Sequence, residues 1–423
     1  MEPFDTRNRV EWLWTSLDDF QMVREEAPWI ETIWDGLSEF AKLLPDWVEE
    51  NEQAGQNQGL VELDAVLDTT PQFFEALRNS GSLDVPRYLV SPFETLLNSY
   101  IDDGYSYSLA MLYWAEARNY ATDAGKTCPW LAAQLENYGC SDKKLIDKLK
   151  RFVLVACPFG GQDDCLMHPV IAHEVSHAVL YFAGTRLGEI DLPRPGDTGV
   201  LVRWLNEILC DIVATHMLGP LPAISMRYRL PQQVRSDTHP PTDLRLAACK
   251  EMLRREAYLA PADTKADDAQ KFLDGLLPHG TPTGDSETEL LSKLPSLCDN
   301  VVEAFPDIQY RSEVEAVCMT PPHTEAEPIN RLLSHVPPAY QSLSPLDLRS
   351  AYLDDANDQL EAEEFALCEA WLAAWTVRLD QDLWKQFGEP FAQHGFWSHS
   401  RAEGALSDLT IKAIEVVASH AGE

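Results

Sequence analysis

Residues 170–184 read VIAHEVSHAVLYFAG. Val170, Ile171 and Ala172 on one side, with Ala178, Val179 and Leu180 on the other, frame an apolar helix. Pro169 suits its first turn, where a missing N–H costs nothing, and Gly184 suits its stop. His173, Glu174 and His177 are set into this apolar run. Imidazoles four residues apart share one helical face about one turn apart, where they can bind a single ion. Polar groups in so apolar a helix need a partner, and a metal supplies one. Glu174 is angled toward the open coordination position, the place for a general base acting on a zinc-activated water, and is not expected to bind metal.

A third protein ligand is needed. The next strong helix covers 201–218, LVRWLNEILCDIVATHML, and ends at Gly219-Pro220. Glu207 and Asp211 lie four apart on it. Trp204, Leu205, Ile208, Leu209, Ile212 and Val213 make it a buried helix, in which unpaired carboxylates are costly. Glu207 can reach the zinc. Asp211 can accept a hydrogen bond from the far nitrogen of a ligand imidazole, His173 by this reading, and so fix its tautomer. The competing reading is a salt-bridged pair at a core edge. His216 stands more than two turns beyond Glu207, which suits a core or surface role.

The third element is THPPTDLR, 238–245. His239 precedes a double proline that stiffens the turn, and Arg245 falls on the following helix. A rigidly held His239 and Arg245 suit stabilisation of an oxyanion or anchoring of a substrate backbone.

Around this centre the chain reads as mainly α with a small β-sheet. Residues 151–157, RFVLVAC, are the best strand, either a sheet edge to which a peptide could add or a central strand. Residues 1–120 read as short helices punctuated by Pro45, Pro71, Pro86 and Pro92, with a helix expected over 93–117. A core is expected over 121–257. A linker or long surface loop, rich in proline, glycine and acid, follows over 258–289. A helical C-terminal region occupies 290–423; its clearest helix carries Phe365, Cys368, Trp371, Leu372, Trp375 and Leu379 on one face.

Composition narrows the classes. The 423 residues include 68 acidic and 33 basic side chains, a net charge of -35. Such a surface repels phosphate backbones and anionic membranes, so neither nucleic acid nor membrane is an expected partner. Nine scattered cysteines without a CxxC pair argue against a disulfide framework or a cysteine-built zinc site and point to a reducing cytoplasm. The N-terminus lacks a basic start followed by an apolar run, and no stretch reaches about 18 apolar residues, so neither a signal peptide nor a membrane span is expected.

HEVSH, then NEILCD, then THPPTDLR, in this order over about residues 150–255, resembles the gluzincin zinc peptidases of the HtpX and CAAX-prenyl-protease type. The resemblance implies a zincin-like core. It implies one Zn2+ held by His173, His177 and Glu207, with Glu174 as base, Asp211 behind a ligand, and His239 and Arg245 assisting substrate or transition state. Those relatives carry transmembrane helices, so membrane substrates are not implied here. The GxMEN signature of gluzincin aminopeptidases is absent, which favours endopeptidase action on a peptide or protein substrate. A neighbouring subclass is the ImmA/IrrE-like regulatory metallopeptidases, to which the stretch ending in ATHMLGP is similar. The alternative from another class is a latent or non-catalytic zinc scaffold, with the helical flanks engaging a regulatory protein partner.

Overall fold

A computed structural model of the chain describes residues 8–13, 15, 17, 31–54, 63, 67, 89–101, 103–113, 121–122, 127–158, 164–187, 199–229, 236–255, 285–305, 407 and 411. Among the described residues the protein is mainly helical with one small sheet. It divides into two compact units, Met1–Val90 with Asp102–Gln162, and Ser91–Ile101 with Asp163–Glu423. The stretch 121–257 therefore contributes to both. Of the linker expected over 258–289, residues 258–284 lie outside the described residues, as does the helix around Trp371 and Trp375, whereas 285–289 already form the first turn of the helix Asp285–Ala304. No described helix is long and apolar enough to cross a membrane.

In the first unit, helix α1 (Glu31–Ala54) buries Ile33, Leu37, Phe40, Ala41, Leu44 and Val48, a stripe at three- and four-residue spacing. It packs on the helices Thr127–Asn137 and Lys143–Lys150. Gly36 permits the approach, because a Cβ there would sit 2.9 Å from Leu149 Cδ1 and 3.0 Å from Leu131 Cδ2. The carboxylate of Asp142 caps the second of these helices by accepting from the Lys144 and Leu145 amides.

The sheet of this unit has the order β1-β3-β2, with β1 at Ser108–Tyr113, β2 at Ala121–Thr122 and β3 at Phe152–Cys157. β1 runs parallel to β3, from Ser108 opposite Phe152 to Tyr113 opposite Cys157. β2 runs antiparallel on the other side, Ala121 opposite Ala156. β3 is thus the central strand, which explains its nearly unbroken apolar run and its burial. Its two sides are taken by β1 and β2, so it is not an edge to which a peptide could add.

The expected helix over 93–117 is corrected. Helix α2 (Val90–Ile101) ends at Ile101, Gly104 adopts φ 81°, and the chain then enters β1. The apolar run after the turn is short enough to be either element, and pairing with β3, some forty residues away, makes it a strand.

In the second unit, helix α6 (Val200–Leu218) is the axis, and from Ile208 to Leu218 every residue is buried. Around it pack α5 (Ile171–Ala183), α7 (Leu221–Arg229), α8 (Thr242–Arg255) and α9 (Asp285–Ala304). A single 3-10 turn, His168–Val170, leads into α5. Gly219, at φ 59°, ends α6 in a conformation that disfavours side chains. His216 is a core residue: its ring meets Tyr100 edge-on at 5.7 Å, and Tyr100 in turn meets Phe305 at 5.0 Å.

Candidate metal centre

α5 sets His173 and His177 on one face, with ring centroids 4.9 Å apart and planes nearly perpendicular. α6 crosses beside it and brings Glu207 against both rings. Glu207 Oε2 lies 3.4 Å from His173 Nε2, and Oε1 lies 3.6 Å from His177 Nε2. Donors bonded at about 2.0–2.1 Å to a tetrahedral ion sit roughly 3.3–3.4 Å from one another. His173, His177 and Glu207, with donor atoms all within 4.8 Å of one another, therefore form a group able to hold a metal ion. Two imidazoles and one carboxylate also leave a fourth position for another ligand.

Asp211, one turn beyond Glu207, is almost completely buried. Its Oδ1 lies 2.8 Å from His173 Nδ1, the nitrogen turned away from Glu207. With the ring neutral, a proton shared there would leave the Nε2 lone pair free to bind an ion. Arg245 closes the arrangement from α8. Its Nε and Nη2 donate to Asp211 Oδ2 and Oδ1, both at 2.7 Å, a bidentate fork. Nη2 also contacts the His173 ring, 3.2 Å from Nδ1.

The sequence places Arg245 beside a substrate; the structure places it inside. Its side chain is buried, and its fork is committed to Asp211. The reason is helical register: Leu244, Arg245, Leu246, Ala248, Cys249, Met252 and Leu253 form the buried side of α8. A guanidinium in that row needs a carboxylate, and Asp211 supplies it.

His239 does reach the centre. Its Nε2 lies 3.7 Å from Glu207 Oε2, and its side chain is 43% exposed, the most open of the three imidazoles. The turn that carries it is pinned twice. The Ser236 hydroxyl accepts from the His239 amide at 3.0 Å, and the Trp204 indole N–H donates to the Ser236 carbonyl at 2.9 Å. Thr238 Oγ1 pairs with His239 Nδ1 at 2.9 Å. Glu174 is buried on α5, between His173 and His177 in sequence.

Two residues of the site escaped the sequence reading. Asn206 Nδ2 and Cys210 Sγ both meet His177 Nδ1, at 3.2 and 3.1 Å. They lie four apart on α6, one position before Glu207 and Asp211. That repeated spacing is the signal in the sequence that could have found them.

The metal-free electrostatics follow from these contacts. Burial alone would depress His173, but the charge and hydrogen bond of Asp211, with the hydrogen bond of Glu207, together outweigh it and lift the imidazole to about 10. Burial, helped by the neighbouring His173, pushes His177 down to about 4. Glu207 is buried yet held below the usual carboxylate range by its hydrogen bond to His173. Asp211 is buried and likewise held low, chiefly by Arg245. Burial drives the Cys210 thiol well above its ordinary value, so it stays protonated.

No family model, curated protein or solved structure matches the chain.

Proposed function

We propose that the protein is a zinc-dependent peptidase of the gluzincin type with a zincin-like core, and that it cleaves within peptide or protein chains. The observation that carries this reading is the approach of Glu207 to both His173 and His177, with Asp211 seated behind His173. Nitrogen-rich, three-ligand sites with an open position favour zinc and catalysis over a closed structural role. Zinc bound there would act as a Lewis acid on a scissile carbonyl and make a water acidic near neutral pH.

The protein's own residues do the remaining work. Asp211 takes the His173 Nδ1 proton in a hydrogen bond, so that Nε2 points inward as a donor. Arg245 neutralises Asp211 and keeps it from competing as a ligand. Glu174 serves as the general base, taking a proton from the attacking water and passing it to the leaving amine. His239, half-open beside Glu207, donates from Nε2 to the developing oxyanion. The Trp204–Ser236 hydrogen bond holds that imidazole in place.

The test is a zinc-loaded preparation incubated with a mixed peptide library, the products read by mass spectrometry. The expected result is cleavage at internal bonds that disappears on chelation and returns with zinc. A chain that binds zinc and cleaves no peptide would instead support the latent scaffold.

A further inference from the structure

The two ligand imidazoles are supported differently. His173 has a carboxylate behind it, whereas the outer nitrogen of His177 meets an amide and a thiol. Taking the zinc reading as given, the chemistry of His177 is constrained. Its Nε2 faces Glu207 at 3.6 Å, and a donor nitrogen must carry a bare lone pair. The ring proton then sits on Nδ1 and requires an acceptor.

As placed, the nearest amide atom is Asn206 Nδ2 at 3.2 Å, and an NH2 group cannot accept. Rotating the amide by half a turn exchanges its oxygen and nitrogen at almost no cost in shape, and the hydrogen-bond network decides which orientation holds. Cys210 Sγ, at 3.1 Å, is a weak acceptor by comparison. Both groups are fixed on α6, the helix that also supplies Glu207, so their aim at Nδ1 is set by the same α5–α6 packing that builds the site.

We propose that Asn206 is the positioning residue for His177, its Oδ1 accepting the Nδ1 proton and holding Nε2 toward the metal. Asn206 is to His177 what Asp211 is to His173, with one difference. Asp211 carries a charge that Arg245 cancels, whereas the Asn206 amide is neutral and needs no such cation. The centre therefore orients two imidazoles while Glu207 remains the one uncompensated anion among these groups. An extra negative charge there would bind the cation more tightly and blunt it as a Lewis acid.

The experiment measures zinc affinity by competition with a chromophoric chelator, for wild type and for Asn206→Leu, Asn206→Asp and Cys210→Ala. Asn206→Leu keeps the branched heavy-atom shape and removes the acceptor, and should weaken zinc by about 10- to 100-fold. Asn206→Asp restores an acceptor with charge, and should bind zinc at least as tightly as wild type. In zinc-loaded samples it should also move the His177 Nδ1 proton resonance downfield. Cys210→Ala removes only the weak acceptor and should lose far less than Asn206→Leu.

Asn206→Leu binding zinc as tightly as wild type would overturn the proposal, as would a ten-fold loss confined to Cys210→Ala. Should Asn206→Leu fail to fold, the isosteric Asn206→Asp decides: an unmoved Nδ1 resonance rejects the role. A wild type that binds no zinc removes both this inference and the metal reading. A wild type that binds zinc, together with an indifferent Asn206→Leu, removes this inference alone.

Discussion

His173 Nδ1 and Asp211 Oδ1 stand 2.8 Å apart, and the same carboxylate is gripped by both arms of Arg245 at 2.7 Å. One buried Asp211 thus serves two neighbours: it orients an imidazole of the candidate metal centre and it neutralises the buried guanidinium of α8. Its loss should register in both stability and metal binding. Asp211→Ala leaves Arg245 buried without its partner, and should destabilise the metal-free protein by about 3–5 kcal/mol. Zinc affinity should fall about 10- to 100-fold in the same variant. Chemical denaturation and chelator competition read the two effects separately.

Arg245→Lys tests whether the guanidinium fork, rather than its charge, is what matters. An ammonium cannot donate to both Asp211 oxygens in the same planar geometry. The expected outcome is a lower unfolding midpoint with hydrolysis retained wherever the chain is folded. Loss of turnover at unchanged stability and unchanged zinc content would instead return Arg245 to the substrate.

Stability should depend on pH in a shape set by the two imidazoles. His177 is depressed to about 4 from a usual value near 6.5, so the unfolded chain binds the extra proton between these values. Stability from this group therefore rises with pH across that window. His173 is raised to about 10, so its contribution is fully present below about 6.5 and is lost as pH climbs toward 10. Together they place the stability maximum of the metal-free protein near pH 6.5. Zinc requires His173 neutral, so binding near pH 8 should release about one proton per ion and flatten the alkaline limb. Calorimetry in buffers of different ionisation enthalpy counts that proton.

His239 should separate binding from turnover. His239→Ala is expected to retain zinc and lose about 100- to 1,000-fold in hydrolysis, the usual cost of one oxyanion donor. Trp204→Phe, which removes the donor to the Ser236 carbonyl but keeps a ring in the core, should show a smaller loss in the same sense. A parallel loss of zinc from His239→Ala would make this imidazole a fourth ligand instead.

The helix bearing HEVSH was legible because polarity contrast marks it: two imidazoles and a carboxylate have no business in so apolar a stretch unless something binds them. Glu207 and Asp211 were legible for the same reason on α6. β1 was misread as helix because SLAMLY carries no decisive period, and its identity depends on parallel pairing with β3 far along the chain. Arg245 was read outward from its proximity to His239, whereas the burial row of α8 turns it inward. Asn206 and Cys210 repeat the four-residue spacing of Glu207 and Asp211, which marks them as a pair, but that they meet His177 depends on the rotation of α6 against α5, which no spacing along one helix fixes.

The proposed mechanism has zinc held between α5 and α6 and Glu174 acting as the base. It is tested most directly by the rate of peptide hydrolysis by zinc-loaded wild type and zinc-loaded Glu174→Gln, compared at equal metal content. The predicted result is cleavage by wild type and a loss of at least about 100-fold in Glu174→Gln, which retains the ligands but not the base. Equal rates in the two proteins would contradict it.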